Sequence, residues 1–274
     1  MNGPTLTRGA TPRAKDIGNA FAVPKVGRED RRSPGGALFR FAGMPLALSV
    51  VCILLYWWVN QQTLDSIERR VLNREVIQGA IHQHINLVAV STFIVIAAAV
   101  PLGILLTRPF ARLLVPFIVG TANAGQALPS LGVLVVLALI WGVGFKYAVV
   151  ALVLYALLPV LRNTMVGLEQ VDPFIKDAAR GQGMTKLAVL LRLELPLAVP
   201  VILAGIRTAL VINVGTATIA VLTNAGGLGE IIYAGLVQGR TTVLIAGSVM
   251  TAVFALAVDY CAGVAEERLS PRGI

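Results

Sequence analysis

Residues 169–200 read EQVDPFIKDAARGQGMTKLAVLLRLELPLAVP, a polar stretch set between two long apolar ones. Asp172 followed by Pro173 is typical of a helix start, with aspartate as the N-cap and proline at the first helical position. Gly181 and Gly183 are expected to end or bend this short helix. The stretch therefore predicts a helix–turn–helix outside a membrane. A loop of this length in a compact protein usually carries a function.

The second half of the stretch predicts another short helix, over about 185–194, followed by Pro196 at the start of the next apolar segment. The rest of the chain explains why a membrane is expected. Of its 274 residues, 56% are apolar and 14% are charged, and the mean hydropathy is +0.79. Soluble domains carry about 25% charged residues. The composition excludes a disordered chain and an ordinary soluble enzyme, and it predicts an all-α polytopic membrane protein.

Six apolar stretches are long enough to be membrane-spanning helices: about 41–59, 86–106, 113–145, 147–163, 196–222 and 241–262. The third stretch is too long for one straight crossing, which needs roughly 20 residues. It is interrupted by TANAGQALPSLG, a small and polar insert that contains Pro129. We therefore expect one kinked crossing with an irregular middle, which is tolerated where it packs in protein or lines a cavity.

Polar segments connect and flank these stretches. Residues 1–40 are predicted to be a disordered, basic cytoplasmic tail, and residues 60–85 an extracytoplasmic amphipathic helix. Residues 164–195 are the long loop described above, and 266–274 a short tail. With the N-terminus inside, the inner segments hold 17 Lys and Arg residues and the outer segments hold 5. This positive-inside asymmetry predicts a multi-pass protein of the cell membrane with both termini cytoplasmic. Because topology accounts for the net charge of +9, nucleic acid is not expected as a partner.

The long loop resembles the EAA loop of permease subunits of binding-protein-dependent, type I ABC importers. The resemblance rests on three separated elements with the family's spacing: Asp177-Ala178-Ala179, then Gly183, then Leu193-x-Leu195-Pro196. The chain departs from the family pattern twice, with Asp177 in place of glutamate and Leu193 in place of isoleucine. The resemblance covers about 86–265 and implies five core helices, so that the stretch 41–59 is an additional N-terminal helix.

The resemblance implies a transport subunit that is not itself an enzyme. The implied partners are ABC ATPase subunits, an extracytoplasmic solute-binding protein, a second permease copy that is either identical or paralogous, and membrane lipid. ATP and Mg are expected on the ATPase, and no cofactor on this chain. The residues agree, since AGGLG at 225–229 lacks the Lys-Ser/Thr of a P-loop. The implied role of the EAA-like residues is to couple this chain to ATP hydrolysis.

Three further stretches are similar to osmoprotectant permeases, which take up solutes such as glycine betaine, choline or carnitine: GQALPSLGVL, LYALLPVLRNTMVGLEQVDP and INVGTATIAVLTNAGGLGEIIYAGL. A permease for another small solute, such as an amino acid, is the alternative. A secondary transporter is a more remote one, because no internal repeat is visible and Asp259 is the only acidic residue well inside a span.

Polar residues inside the spans are candidate functional positions. Asn213 and Thr216 share one face of the fifth span and either line the solute pathway or hydrogen-bond to another helix. Arg207 needs a partner at its depth, and Asp259 is predicted to form an intramembrane ion pair with it. The segment 224–240 is predicted to lie outside, as a re-entrant gate or a docking surface. His82 and His84 are expected at the membrane interface, with no metal site.

Overall fold

The computed structural model describes residues 34–270, with side chains described from Ala42 onward. The residues from Met44 onward form one compact unit. The elements of the described residues are helical, as predicted. In chain order the helices are α1 Pro34–Asn60, α2 Ser66–Val71, α3 Arg74–Leu106, α4 Val115–Ala127, α5 Ser130–Trp141, α6 Phe145–Glu169, α7 Pro173–Gly181, α8 Lys186–Val189, α9 Leu195–Ile219, α10 Gly229–Val237 and α11 Thr241–Leu269.

Five helical segments within the described range are long and apolar enough to cross a membrane: 42–60, 74–106, 145–169, 186–223 and 241–269. A sixth is formed if the bent pair 109–127 and 130–141 is one span. The two halves of this pair meet at 98°. The expected interruption of the third crossing is thus present, at Leu128 and Pro129.

Helix boundaries differ from the predicted ones near the N-terminus. α1 begins at Pro34, so the last residues of the segment predicted to be a disordered tail are helical. Residues 1–33 of that segment lie outside the described range. Residues 60–85 are not one amphipathic helix. α2 occupies Ser66–Val71, and α3 begins at Arg74 because the Asn73 side chain accepts a hydrogen bond from Glu75 N and caps it. α3 then continues unbroken through the position where the second span was expected to begin.

Around the long loop, α6 extends to Glu169, and the expected second helix is replaced by α8 and a π turn, Leu190–Glu194. Pro196 does lie in the first turn of α9, where the fifth span was predicted to begin, but no loop separates α9 from the helical turns before it. The π turn runs directly into α9, and the whole segment 186–223 is one candidate span. A proline inside a helix lacks an N–H and its ring crowds the carbonyl four residues earlier. A wider π turn immediately before Pro196 accommodates both effects without ending the helix.

Helices α3, α6 and α9 form the core, where small residues allow close approach. A Cβ at Gly103 of α3 would lie 2.8 Å from Thr164 of α6, and one at Gly205 of α9 would lie 2.6 Å from Asn163. Fully buried apolar side chains fill the remaining space between the three helices: Leu87, Val95, Leu152, Leu161 and Val214. The bundle provides a rigid frame that the long loop and the bent crossing adjoin.

Two hydrogen bonds attach the bend between α4 and α5 to the core. The Tyr155 hydroxyl of α6 donates to the Leu128 carbonyl, and Gln126 Nε2 donates 2.6 Å to the Tyr155 carbonyl. Leu128 has extended backbone angles, as expected for a residue that precedes proline. The irregular middle of this crossing is therefore hydrogen-bonded to α6. The Leu128 carbonyl at the break has a hydrogen-bond donor in Tyr155.

Candidate functional site

The long loop is built from the local signals that its sequence contains. Asp172 caps α7, since its carboxylate accepts a 2.8 Å hydrogen bond from Phe174 N, and Pro173 takes the first helical position. After α7 the chain turns at Gly183, whose φ of +87° lies in the left-handed region that favours glycine. Thr185 then caps α8 through its hydroxyl. The turn between α7 and α8 thus needs glycine for backbone reasons alone.

The EAA-like residues are divided between an exposed face and a buried face of α7. Asp177 and Ala178 are exposed, whereas Ala179 is buried. Gly183 is exposed as well, and a Cβ there would meet nothing within 4 Å. Ala178 follows Phe174 by one helical turn, so the small residue and the aromatic one share a face. The loop therefore presents a surface to the outside.

Exposed apolar side chains on this polar loop are a feature that the sequence analysis missed. The exposed fraction is 82% for Phe174, 64% for Leu187 and 45% for Ile175. Their signal was present in the sequence, because each is a large apolar residue among charged and small neighbours. Large apolar residues in such a setting mark a protein interaction surface.

The other three motif residues lie where the loop rejoins the core. Leu193 and Leu195 are half-buried, and Pro196 is exposed. Leu195 packs in an apolar cluster with Leu168 of α6 and Ile104 of α3. Beside this cluster the Arg108 and Glu194 side chains form an ion pair with 2.6 Å between Nη2 and Oε2. The sequence analysis assigned no role to either charge, because 86 positions separate them.

Asn213 and Thr216 face the interior of the chain. Both are buried, and Asn213 is 0% exposed. Asn213 Nδ2 donates a 2.9 Å hydrogen bond to Thr92 Oγ1 of α3. The sequence left two roles open for Asn213, lining the solute pathway or bonding to another helix. This contact is a hydrogen bond between helices α9 and α3. A role in the pathway stays a prediction.

Arg207 and Asp259 are brought together as a bidentate pair between α9 and α11, at 2.6 and 2.7 Å. Glu266 lies 3.6 Å from the same guanidinium. The three side chains are each about a third exposed, so the cluster sits at the edge of the bundle. The guanidinium is neutralised by Asp259 at short range and has Glu266 as a second, longer contact, which is a structural arrangement.

The glycine-rich turn before α10 is joined to α3 by two hydrogen bonds. Gly227 N donates a 2.9 Å hydrogen bond to Gln83 Oε1, and Leu228 N donates to His84 Nδ1 at 3.3 Å. His84 is fully buried and meets the Phe254 ring edge to face at 5.1 Å. The prediction of an interfacial, solvated His84 is therefore wrong. The side chain is buried because α3 extends past the expected boundary and the turn folds over it.

The described residues contain no group of three or more His, Cys, Asp and Glu side chains placed to hold a metal ion. Cys52 and Cys261 are both free thiols. The described site consists of an exposed loop surface, buried polar contacts and ion pairs.

These features define a helical membrane protein with an exposed loop beside its bundle, and comparison with known proteins specifies the class. The chain belongs to the family described as the binding-protein-dependent transport system inner membrane component, whose pattern matches residues 99–272. It is therefore the permease subunit of an ABC importer. The fold agrees with that of the permease in inward-facing structures of the MetNI methionine ABC transporter. One such chain superposes with a TM-score of 0.65 at 22% identity, over 76% of this chain and 100% of that one.

Sequence relatives come from osmoprotectant systems. The osmoprotectant import permease protein OsmY of Salmonella typhimurium is 38% identical over 237 residues, which cover 86% of this chain and 98% of OsmY. The choline transport system permease protein OpuBB of Bacillus subtilis is 39% identical over 193 residues, which cover 70% of this chain and 88% of OpuBB. The carnitine transport permease protein OpuCD of Listeria monocytogenes is 42% identical over 174 residues, covering 63% of this chain and 77% of OpuCD.

Proposed function

We propose that this permease imports a quaternary-ammonium osmoprotectant, such as glycine betaine, choline or carnitine, and that ATP hydrolysis on a separate subunit drives the import. The observation that carries the substrate class is the identity with OsmY, which extends over 98% of that relative. A permease for another small solute, such as an amino acid, is the second candidate. The fold shared with the methionine transporter favours it only at the level of architecture, since identity there is 22%.

The ATPase docks on α7 and α8 in this proposal. The support is the exposed apolar surface formed by Phe174, Ile175 and Leu187, flanked by small Ala178. Interface cores are enriched in aromatic and other apolar side chains that fill a pocket on the partner. ATP and Mg are bound by that partner. The loop lies on the cytoplasmic side of the cell membrane, with both termini, as the positive-inside asymmetry predicts.

A solute-binding protein delivers the solute on the opposite side. The exposed end of α10 supports this partner, because Leu236 and Val237 are apolar side chains with exposed fractions of 64% and 63%. Aromatic groups commonly hold quaternary ammonium ions. Among the described residues the His84 and Phe254 rings meet edge to face, which is not an aromatic cage, and His84 is fully buried. High-affinity selection therefore belongs to the binding protein, and a second permease copy completes the passage.

Radiolabelled uptake tests the proposal. The chain is expressed with its ATPase and its binding protein in cells that lack other osmolyte importers. Accumulation of glycine betaine, choline or carnitine at high osmolarity is the expected result. Uptake of an amino acid without betaines would contradict the substrate class and leave the permease assignment standing. Uptake that persists without the ATPase would contradict ATP-driven import.

A pair of leucine and phenylalanine variants tests the docking surface. Phe174→Ala should weaken ATPase binding roughly tenfold, because an aromatic anchor in an interface contributes about 1–2 kcal/mol or more. Leu46→Ala, on α1, is the matched control, since that leucine is also exposed, at 67%. Co-purification of the ATPase with each variant gives the measurement. Equal recovery of the ATPase with both variants would remove Phe174 from the interface.

A further inference from the structure

The Arg108 guanidinium makes two contacts at the end of α3. Its Nε donates to the Ile104 carbonyl at 3.2 Å, and its Nη2 contacts Glu194 Oε2 at 2.6 Å. The side chain of Glu194 is 9% exposed and that of Arg108 is 28% exposed. One arginine thus satisfies a carbonyl in the last turn of α3 and neutralises a nearly buried carboxylate. Ion pairs shielded from solvent in this way are short and specific.

Glu194 is the last residue of the π turn through which the long loop enters α9. Single π turns within a helix are frequent at functional positions. Next to Glu194, Leu190 and Leu195 pack against the same buried apolar cluster as Ile104 of α3. The end of the loop is therefore fastened to α3 by an apolar cluster and by one ion pair, and a displacement of the loop acts on both.

Arg108 also lies immediately before the segment that leads into the bent crossing. It is the N-cap residue of the 3₁₀ turn Pro109–Leu114, and α4 follows this turn without an intervening loop. Ala111 in the turn is buried, so the turn is packed against the core. A force on the Arg108 side chain is consequently applied where α3 ends and where the segment leading into α4 begins.

We propose that the Arg108–Glu194 ion pair transmits movement of the ATPase-facing loop to α3 and to the bent α4–α5 crossing. Both are positioning residues, since each acts through the elements that it joins, the π turn and the end of α3. The inference rests on the proposed function of the loop as the ATPase contact. Coupling between distant sites needs a physical link whose arrangement both sites influence, and a double variant that removes the link is its direct test.

The decisive variant is R108M/E194L, because it removes both charges. Replacing a shielded ion pair by apolar residues of similar volume is often neutral for stability, whereas removal of one partner is not. The double variant should therefore fold and assemble with the ATPase, while E194L alone should assemble less well. Purified complexes in proteoliposomes, with binding protein, give glycine betaine uptake, ATP hydrolysis and the midpoint of thermal unfolding.

We expect R108M/E194L to hydrolyse ATP but to take up at least about fivefold less glycine betaine per ATP than the wild type, the lower end of typical coupling energies. The control is R207M/D259L, which removes an ion pair of equal length between α9 and α11 and should keep the wild-type ratio. A wild-type ratio in R108M/E194L would overturn the inference, and so would losses of uptake and hydrolysis in equal proportion. Wild-type uptake is measured first, because its absence contradicts the proposed function and not this inference.

Discussion

Arg207 of α9 binds both carboxylate oxygens of Asp259 on α11, with Nε–Oδ1 at 2.6 Å and Nη2–Oδ2 at 2.7 Å. This fork-like geometry is the strong form of an arginine–carboxylate contact. It joins two long helices whose facing residues are 52 positions apart in the chain. Gly263 lies beneath the guanidinium, where a Cβ would be 3.2 Å from Nη1, so α11 offers space for the arginine head group.

Removing one charge of this pair should harm the protein more than removing both. Arg207→Met leaves the Asp259 and Glu266 carboxylates without their shared cation. We expect a loss of about 1–3 kcal/mol in the free energy of unfolding, less than for a fully buried pair because each side chain is about a third exposed. R207M/D259L should be less destabilised than R207M, because it removes one of the two carboxylates that R207M leaves without a cation. Thermal unfolding of the detergent-purified permease compares the two, and equal midpoints would argue against the pair as the cause.

A double-mutant cycle separates the two roles of Asn213. If its contact with Thr92 joins α9 to α3, Asn213→Leu and Thr92→Val should each lower the free energy of unfolding by about 1–2 kcal/mol, and their combination by less than the sum. If Asn213 and Thr216 line the solute pathway, Asn213→Leu and Thr216→Leu should instead reduce uptake at unchanged stability. Thermal unfolding and uptake are measured on the same four proteins, together with Thr216→Leu.

Substitutions at Gly183 should act through the backbone. A side chain there meets no neighbouring atom, but a φ of +87° is unfavourable for any residue with a Cβ. The expected cost in the free energy of the turn is roughly 1–2 kcal/mol for alanine or valine, and less for asparagine, which tolerates left-handed angles. Gly183→Asn should therefore retain more uptake than Gly183→Val. Gly183→Trp and Asp177→Lys should abolish uptake while membrane insertion is normal. Normal uptake by Gly183→Trp would remove this loop from the coupling mechanism.

The start of α10 should not tolerate even a methyl group. A Cβ at Gly229 would collide with the Thr218 carbonyl oxygen, which is backbone and cannot move aside. Gly229→Ala should cost about 1–3 kcal/mol in the free energy of unfolding, as overpacking of a tight site does. Gly79→Ala is the matched control in α3, where a Cβ meets nothing within 4 Å. There alanine should stabilise the helix by about 0.5–1 kcal/mol. Opposite shifts of the unfolding midpoint are expected.

The Asp65 carboxylate should make the α2 region sensitive to acid. Its pKa is held below the ordinary aspartate range, chiefly because it accepts the Glu68 backbone N–H, aided by Arg240 at 2.7 Å and by the Ile67 N–H, while partial desolvation opposes the shift. Since the folded-state pKa is lowered, the ionised carboxylate stabilises the fold fully at pH values above the ordinary aspartate pKa. This contribution is lost as the pH falls through the lowered folded-state pKa.

Amide hydrogen exchange along residues 66–71 measures this effect after correction for the intrinsic exchange rate. Protection should decline on acidification in the wild type. Asp65→Asn should show lower protection at neutral pH and little of the decline, because asparagine caps a helix without titrating. An identical pH profile in both proteins would assign the sensitivity to another group.

Much of the candidate loop could be predicted from local sequence. The Asp172 cap, the proline at the first position of α7 and the turn at Gly183 each depend on interactions within a few residues, so their residue types are informative by themselves. The exposed Phe174 and Leu187 could also have been identified from their polar surroundings. The lack of space at Gly229 could not be predicted in this way. The Thr218 carbonyl occupies that space, and it comes close to Gly229 only after the chain reverses direction.

The sequence by itself determined an all-α membrane protein, the number of apolar stretches, the break near Pro129 and the position of the long loop. Hydropathy, helix caps and proline geometry are local properties, and they act whatever the rest of the chain does. Only the tertiary structure decided that His84 is buried under the glycine turn, that Pro196 lies within a continuous helical span, and that Arg108 binds Glu194. Each of these depends on which distant residue is the neighbour, and burial and pairing energies are set by that neighbour rather than by the residue's own type.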